Sequence, residues 1–419
     1  MTMGMKDSEQ SVNQCRICKG PNLTLFLALG DQPHCNRFVT KELLNREEPR
    51  YPLDLYFCHD CKLMQLGYTV SPESMFKDYP YVSGTTATLP AHFHSLAKEI
   101  AQRFSLKPDD LVVDIGSNDG TFLKGFQAMQ VKTLGVDPAT AIVKMANEQG
   151  VETIEGFFSG DLGEGIARER GRAKVITAAG VFFHVEDLDS FVRGVKALLA
   201  DDGVFMVQAI YLVDMLKQAS YDNIYHEHLC YYSLGPLTHL FRRFQMEVFD
   251  VQRSPIHGGS ILVYVRNAGK RSGPVLPSVK EMLAAEEREH IYDLKTYQEF
   301  AARVERNRGV LVDMLKDLKR QGKRIAAYGA PAKGNTLLNY CRIGTDILEC
   351  ATEKNRLKCD LYTPGMHIPV VFEEEVWNNP PDYYLLLPWN FQQELLEKER
   401  AFRAKGGKFI IPVPDPHVV

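Results

Sequence analysis

LVVDIGSNDGTFL, residues 111–123, decides the fold. An apolar run bounded by a glycine turn has the pattern of a strand covered on both faces, and Thr-Phe-Leu after Gly120 opens a helix. Gly116 and Gly120 let a cofactor approach the backbone at the carboxyl end of that strand. Their spacing is G-x-x-x-G and misses the G-x-G-x-x-G dinucleotide fingerprint. Asp114 precedes the turn, and VKTLGVD (residues 131–137) reads as a second strand ending in Asp137, an acid about 20 residues on that suits a ribose diol. An Asp beside the turn repels phosphate, which favours S-adenosylmethionine over a nicotinamide. Asn118 and Asp119 then read as polar neighbours of the methionine moiety.

Working outward, AHFHSLAKEIAQRF (residues 91–104) predicts a helix before this strand. KVITAAGVFFH (174–184) has a fourth-strand pattern that delivers His184 to the same edge, and DGVFMVQ (202–208) looks like a fifth strand. MEVFDV (246–251) and SILVYVR (260–266) are expected to close the sheet as an antiparallel pair. A charged helical region over 279–321 leads into KRIAAYGAPAKGNT (323–336), a strand and glycine turn that could hold an anion near Lys333. DYYLLLP (382–388) and KFIIP (408–412) complete a second, smaller parallel sheet. The expectation is an α/β chain: a zinc-binding domain over 1–75, a Rossmann-like domain for the methyl donor over 76–270 and a second, smaller parallel-sheet domain over 271–419.

The amino-terminal part carries Cys15-Arg-Ile-Cys18 and Cys58-His-Asp-Cys61, two CxxC knuckles that together supply the thiolates of a tetrahedral zinc ribbon. Four thiolates leave no open position, so the expected role of this zinc is structural. The loop between the pairs holds Gln32-Pro-His-Cys-Asn-Arg; Cys35, His34 and His59 read as loop residues and not as ligands.

YDNIYHEHLCYYS (residues 221–233) follows the fifth strand and so borders the cofactor edge. Its His226, Glu227 and His228 lack the i, i+4 geometry of a metal-binding HExxH helix, because adjacent side chains point different ways. Acid/base chemistry suits them better.

The chain has 419 residues, 45% of them hydrophobic, enough for two or three domains with sizeable cores. A net charge of −4 without a basic block argues against nucleic-acid binding. No apolar run approaches the roughly 20 residues of a membrane span, and no signal-peptide core stands at the amino terminus. The expectations are a cytoplasmic protein, no membrane partner, and a monomer or weak homodimer.

Taken in order, the two CxxC pairs, DIGSNDGTFL, FFHVEDL, YDNIYHEHLCYYS, HGGSILVYV, AAYGAPAKGNTLLNY and YTPGMHIPV resemble the zinc-containing sugar C-methyltransferases that act on nucleotide-linked 4-keto-deoxysugars. The resemblance covers nearly the full chain. It implies a zinc-binding domain, a Rossmann-like methyltransferase domain and a second, Rossmann-like carboxyl-terminal domain contributing to the substrate cleft, with zinc and S-adenosylmethionine as cofactors, a nucleotide-linked ketosugar as substrate, and Tyr79 as a further active-site tyrosine. Gln208-Ala209-Ile210 departs from the acid and proline often found there, and Thr352-Glu353 replaces an expected Asp. For carbon methylation beside a ketone, a base must first remove a carbon-bound proton, and histidine has the right range of basicity. His228 is the expected base, Glu227 the carboxylate that orients an imidazole or contacts the sugar, and Tyr225 or His184 the donor to the enolate oxygen. Competing readings are O- or N-methylation of a sugar or other small molecule, and an inactive scaffold of the same fold.

Overall fold

The computed structural model describes residues 10–76, 88–269 and 273–419; the expected site residue Tyr79 lies outside them. Seven strands form the middle sheet: β1 (Leu111–Ile115), β2 (Lys132–Asp137), β3 (Thr153–Glu155), β4 (Ala173–Ala179), β5 (Leu199–Ile210), β6 (Met246–Ser254) and β7 (Ser260–Asn267). Their order is β6-β7-β5-β4-β1-β2-β3. β1 to β5 run parallel, and β7 pairs antiparallel with both β5 and β6. Helices cover both faces, which is why β1 reads as an unbroken apolar run with four of its five residues buried. The chain order reverses between β1 and β4, so their carboxyl ends open the crevice where ligands bind in such sheets.

The expected helix and strands appear at their places, with two differences. β5 extends to twelve residues, with a register irregularity between Leu199 and Val204. The charged region over 279–321 is not one helix; it breaks into Pro277–Arg288 and Leu294–Arg320, with Pro277 at the start of the first. The second helix buries Tyr297, Phe300, Val304, Leu311, Leu315 and Leu318, a stripe at three-, four- and seven-residue spacing.

The carboxyl-terminal sheet has six strands in the order Val370–Phe372, Ala351–Glu353, Ile325–Tyr328, Tyr383–Leu386, Lys408–Ile411, His417–Val418. All its pairs are parallel except the last.

The amino-terminal sheet pairs Leu23–Gln32 with Tyr51–Cys58 and that strand with Met64–Leu66. Its fourth strand comes from far along the chain. Cys230–Tyr231 adds antiparallel to Met64–Leu66, Cys230 opposite Gln65 and Tyr231 opposite Met64. The long helix also touches this sheet, Tyr297 packing its ring against Phe26 at 5.2 Å and Phe57 at 4.8 Å. One hydrophobic core accordingly runs through all three sheets, from Phe57 through Phe182 and Tyr297 to Phe409. A second core fills the other face of the middle sheet around Phe93, Phe122 and Phe126.

Candidate active site

The four cysteines meet at the end of the amino-terminal sheet. Cys15 Sγ lies 3.4 Å from Cys61 Sγ and Cys18 Sγ 3.6 Å from Cys58 Sγ, and all four sulfurs fall within 4.8 Å of one another. Zinc–sulfur bonds of about 2.3 Å in a tetrahedron place sulfurs roughly 3.8 Å apart, so the donor set fits that ion. The knuckles match one another: Lys19 and Lys62 donate backbone N–H to Cys15 and Cys58 carbonyls at 3.0 and 2.9 Å, each with a left-handed φ of 62° and 67°. Buried Arg16 locks the first knuckle by donating to the Leu66 and Tyr68 carbonyls and the Thr69 hydroxyl.

At the β1 turn, Gly116 takes φ 71°, and a Cβ there would meet Val181 Cγ2 at 2.7 Å. Gly120 likewise takes φ 75° against Val151. Asp137 ends β2 and accepts the Asn118 and Ala139 backbone N–H groups at 2.9 and 3.0 Å. Burial raises its carboxyl and those two donors oppose the rise. Asp114 sits deeper; burial pushes it up to about 7, the Thr177 hydroxyl donating to it at 2.6 Å opposes this, and the Asp137 charge adds to it. Asp119 turns back onto the helix start, accepting from Thr121 N–H and hydroxyl at 3.2 and 2.7 Å. The Ser117 hydroxyl is buried in the turn with no hydrogen-bond partner among the described residues. A close backbone approach, a strand-end carboxylate and an orphaned hydroxyl fit a donor with a ribose diol and a zwitterionic tail.

The histidine-rich segment borders this edge. Its backbone is fixed on two sides, Leu229 N–H donating to Phe183 O at 2.9 Å and Leu229 O accepting Leu66 N–H at 3.0 Å. Consecutive side chains then diverge. His226 Nε2 donates to the Tyr51 carbonyl at 3.1 Å, tying the segment to the amino-terminal sheet. His228 turns to the sheet edge and stacks on His184, ring centroids 5.2 Å apart, with Tyr225 at 3.9 Å on another side. Its Nδ1 lies 2.7 Å from the Asn223 carbonyl. A carbonyl only accepts, so Nδ1 carries the proton and the neutral ring keeps its lone pair on Nε2. Burial and the His184 ring lower the His228 pKa to about 3. Burial lowers His184 to about 4, and His184 Nε2 has no hydrogen-bond partner among the described residues. Burial also pushes the Tyr225 phenol well above its usual value, which keeps it a donor.

Glu227 points the third way, into the loop between the zinc knuckles. Asn36 Nδ2 donates to Glu227 Oε1 at 2.6 Å and the Cys35 thiol approaches the same oxygen at 3.8 Å. His34 Nε2 stands 3.1 Å away but off the line of a hydrogen bond, so that contact is electrostatic. Burial works to raise the Glu227 carboxyl; His34, with His184 and Asn36, outweighs it and holds the group at about 2. Sequence reasoning took His34 and Cys35 for loop residues and gave Asn36 no role. Their partner lies 191 to 193 positions away, and the one signal was a polar His-Cys-Asn run behind Pro33.

From the carboxyl-terminal side, Asn335 Nδ2 donates to the Cys35 carbonyl at 2.7 Å. Lys333, expected near an anion, is instead committed to Asp222: its ammonium lies 3.4 Å from that carboxylate and 4.2 Å over the Trp389 ring. The Trp389 indole N–H donates to Asp222 at 2.6 Å. Gln208, at the carboxyl end of β5, bonds His92 Nε2 at 2.9 Å.

Comparison with known proteins agrees with this assembly. Residues 15–76 match the model of a zinc binding domain, 91–251 that of a methyltransferase domain and 255–414 that of a C-methyltransferase C-terminal domain. The chain is 37% identical over 415 residues, 99% of both proteins, to C-methyltransferase NovU of Streptomyces niveus. Solved structures similar to it include the PH0226 protein of Pyrococcus horikoshii OT3 (13% identity, 45% of this chain and 96% of that one, TM-score 0.36). Another is the CcbJ methyltransferase of Streptomyces caelestis (14% identity, 42% and 90%, TM-score 0.33). At those scores neither adds to the argument. Among the described residues no helix is long and apolar enough to cross a membrane. With a relative of that identity matched end to end, the chain belongs to the zinc-containing, S-adenosylmethionine-dependent C-methyltransferases.

Proposed function

We propose that the protein methylates the carbon beside the ketone of a nucleotide-linked 4-keto-deoxysugar, with His228 as the base. The observation that carries this reading is the tautomer: the Asn223 carbonyl fixes the His228 proton on Nδ1 and leaves Nε2 as a lone pair at the cofactor edge. S-adenosylmethionine, when bound, supplies a methyl group on a sulfonium. His228 Nε2 takes the carbon-bound proton, and the electron pair moves onto the ketone oxygen. The Tyr225 hydroxyl or the unpartnered His184 Nε2 donates to that oxygen, as an oxyanion site does. Glu227, held ionised, stabilises the imidazolium that His228 becomes or anchors the sugar. Asp137 binds the ribose hydroxyls, Gly116 and Gly120 admit the donor to the backbone, and Asn118, Asp119 and Asp114 shape the surrounding turn. Tyr79 completes the proposed set. O- or N-methylation needs no carbon acid and makes do with one base, which leaves the hydrogen-bond donors beside His228 without an enolate oxygen to serve. The three domains, with limits near 75 and 270, are proposed to act together, the last closing over the substrate through Asn335 and Lys333.

The test is deuterium wash-in at the carbon beside the carbonyl, run on nucleotide 4-ketosugars without a reactive donor. A positioned base contributes roughly 10²–10⁴ in rate, so His228→Asn is expected to slow exchange and turnover by about that factor while donor affinity persists. Glu227→Gln and Tyr225→Phe are expected to cost less. Unchanged exchange in His228→Asn, with exchange lost in His184→Asn, moves the base to His184.

A further inference from the structure

The loop behind Pro33 brings three different ligand types into one corner. His34 is 9% exposed, Cys35 3% and Glu227 1%. Their ligand atoms lie within 4.8 Å of one another, with His34 Nε2 3.1 Å and Cys35 Sγ 3.8 Å from the same carboxylate oxygen. A tetrahedral ion with metal–nitrogen and metal–oxygen bonds near 2.1 Å and a metal–sulfur bond near 2.3 Å spaces such atoms roughly 3.3–3.6 Å apart. Only small side-chain adjustments separate the two arrangements. The buried His34 Nε2 has no hydrogen-bond partner among the described residues and stands 3.1 Å from the Glu227 carboxylate.

Charge and softness narrow the occupant. With Cys35 as thiolate and Glu227 ionised, the corner holds two negative charges, which a dication neutralises without leaving a net charge in a dry site. Thiolate with imidazole selects zinc-class ions over magnesium or calcium, which want oxygen ligands. Binding replaces the Cys35 S–H bond by a sulfur–metal bond and releases that one proton to solvent. Three protein ligands leave a fourth position for water.

We propose that His34, Cys35 and Glu227 form a second metal site, separate from the four-cysteine centre, that takes a zinc-class dication, and that filling it suppresses methyl transfer by neutralising the Glu227 charge whose field favours the protonated His228 ring. The second clause rests on the role given to Glu227 above. Asn36, which donates to the same oxygen, holds the metal-free arrangement. The half-buried ammonium of Lys358, whose field reaches both Cys35 and Glu227, opposes the cation. The site therefore fills at higher free metal than the four thiolates do.

The experiment titrates cobalt(II) into reduced full-length protein whose four-cysteine centre already holds zinc. A second equivalent is expected, with a thiolate-to-cobalt charge-transfer band and d–d bands of tetrahedral intensity. Even the supporting partners of a metal ligand are worth roughly 10–100-fold in affinity, so Cys35→Ser and His34→Gln, each removing a ligand outright, are expected to weaken this equivalent by about 100-fold or more. Neither is expected to disturb the resident zinc. Zinc added to the parent is expected to suppress turnover, and Cys35→Ser to remove the suppression. A single equivalent, a second lacking the thiolate band, or a second unaffected by Cys35→Ser overturns the site. A thiolate-bound second equivalent with undiminished turnover overturns the inhibitory clause alone. The charge-transfer band needs no substrate, so failure to methylate any ketosugar counts against the proposed reaction and leaves the metal site to its own readout.

Discussion

His228 and His184 are both held neutral, at about 3 and about 4, in each case first by burial. A base works in its unprotonated form, so a depressed pKa extends the active form toward acid: it is complete through the neutral range and lost only as pH falls through about 3. In Asp114→Asn, which removes the carboxyl pushed up to about 7, the acid limb of kcat/KM is therefore expected to show no step near 6.5, the value of an ordinary histidine. A pH–rate profile with such a step assigns the base to an exposed ring. At Asp137 the carboxylate is already aligned by two backbone donors, so the bond proposed to the ribose comes with little reorganisation. A hydrogen bond to a charged group contributes about 1.5–3 kcal/mol, and Asp137→Ala is expected to weaken donor binding by about ten- to a hundredfold, read by calorimetry on folded protein. The positions of these residues could be read from the sequence because Asp137 ends its own strand, and His184 and His228 follow the fourth and fifth strands. Asn36 and His34 were not, since nothing local marks a side chain whose partner is Glu227.

At the scale of elements, the strands of the middle sheet could be read from apolar runs and glycine punctuation because a parallel sheet is covered on both faces and says so in composition. The Cys230–Tyr231 strand could not. Two residues are too few to display an alternation, and their pairing partner is in another domain. The break at residues 289–293 was hidden for a different reason, as charged residues on both sides suit an exposed helix face equally well. The β1 turn offers the sharpest test at this scale. An L-residue in the left-handed region costs about 1–2 kcal/mol, and at Gly116 a Cβ also meets Val181. Gly116→Ala is expected to destabilise the protein by about 1–3 kcal/mol in urea denaturation and to weaken donor binding more than Gly150→Ala, which has φ 80° but open space around it.

In the molecule as a whole, the zinc centre and His228, the proposed base, are connected through backbone rather than through ligands. The Tyr51 carbonyl holds His226 and Leu66 N–H holds Leu229, and both belong to the sheet that the four cysteines terminate. Structural zinc contributes folding energy outright, so stripping it is expected to loosen that sheet and with it the segment carrying His228. A misplacement of about 1 Å is enough to cost roughly 10²-fold in rate. Chelation is accordingly expected to lower turnover by at least about that factor while calorimetric donor affinity, proposed to be set by the β1 turn in the middle sheet, persists; parallel loss of both refutes this coupling. The same pairing has a consequence during synthesis. Met64–Leu66 leaves the ribosome as an open edge, and the strand that closes it follows about 165 residues later, roughly 10–30 s at about 5–20 residues per second. For that interval the nascent chain exposes unpaired backbone amides and carbonyls to every neighbouring polypeptide. Slowing translation before residue 230 is thus the condition under which this protein is most prone to aggregate.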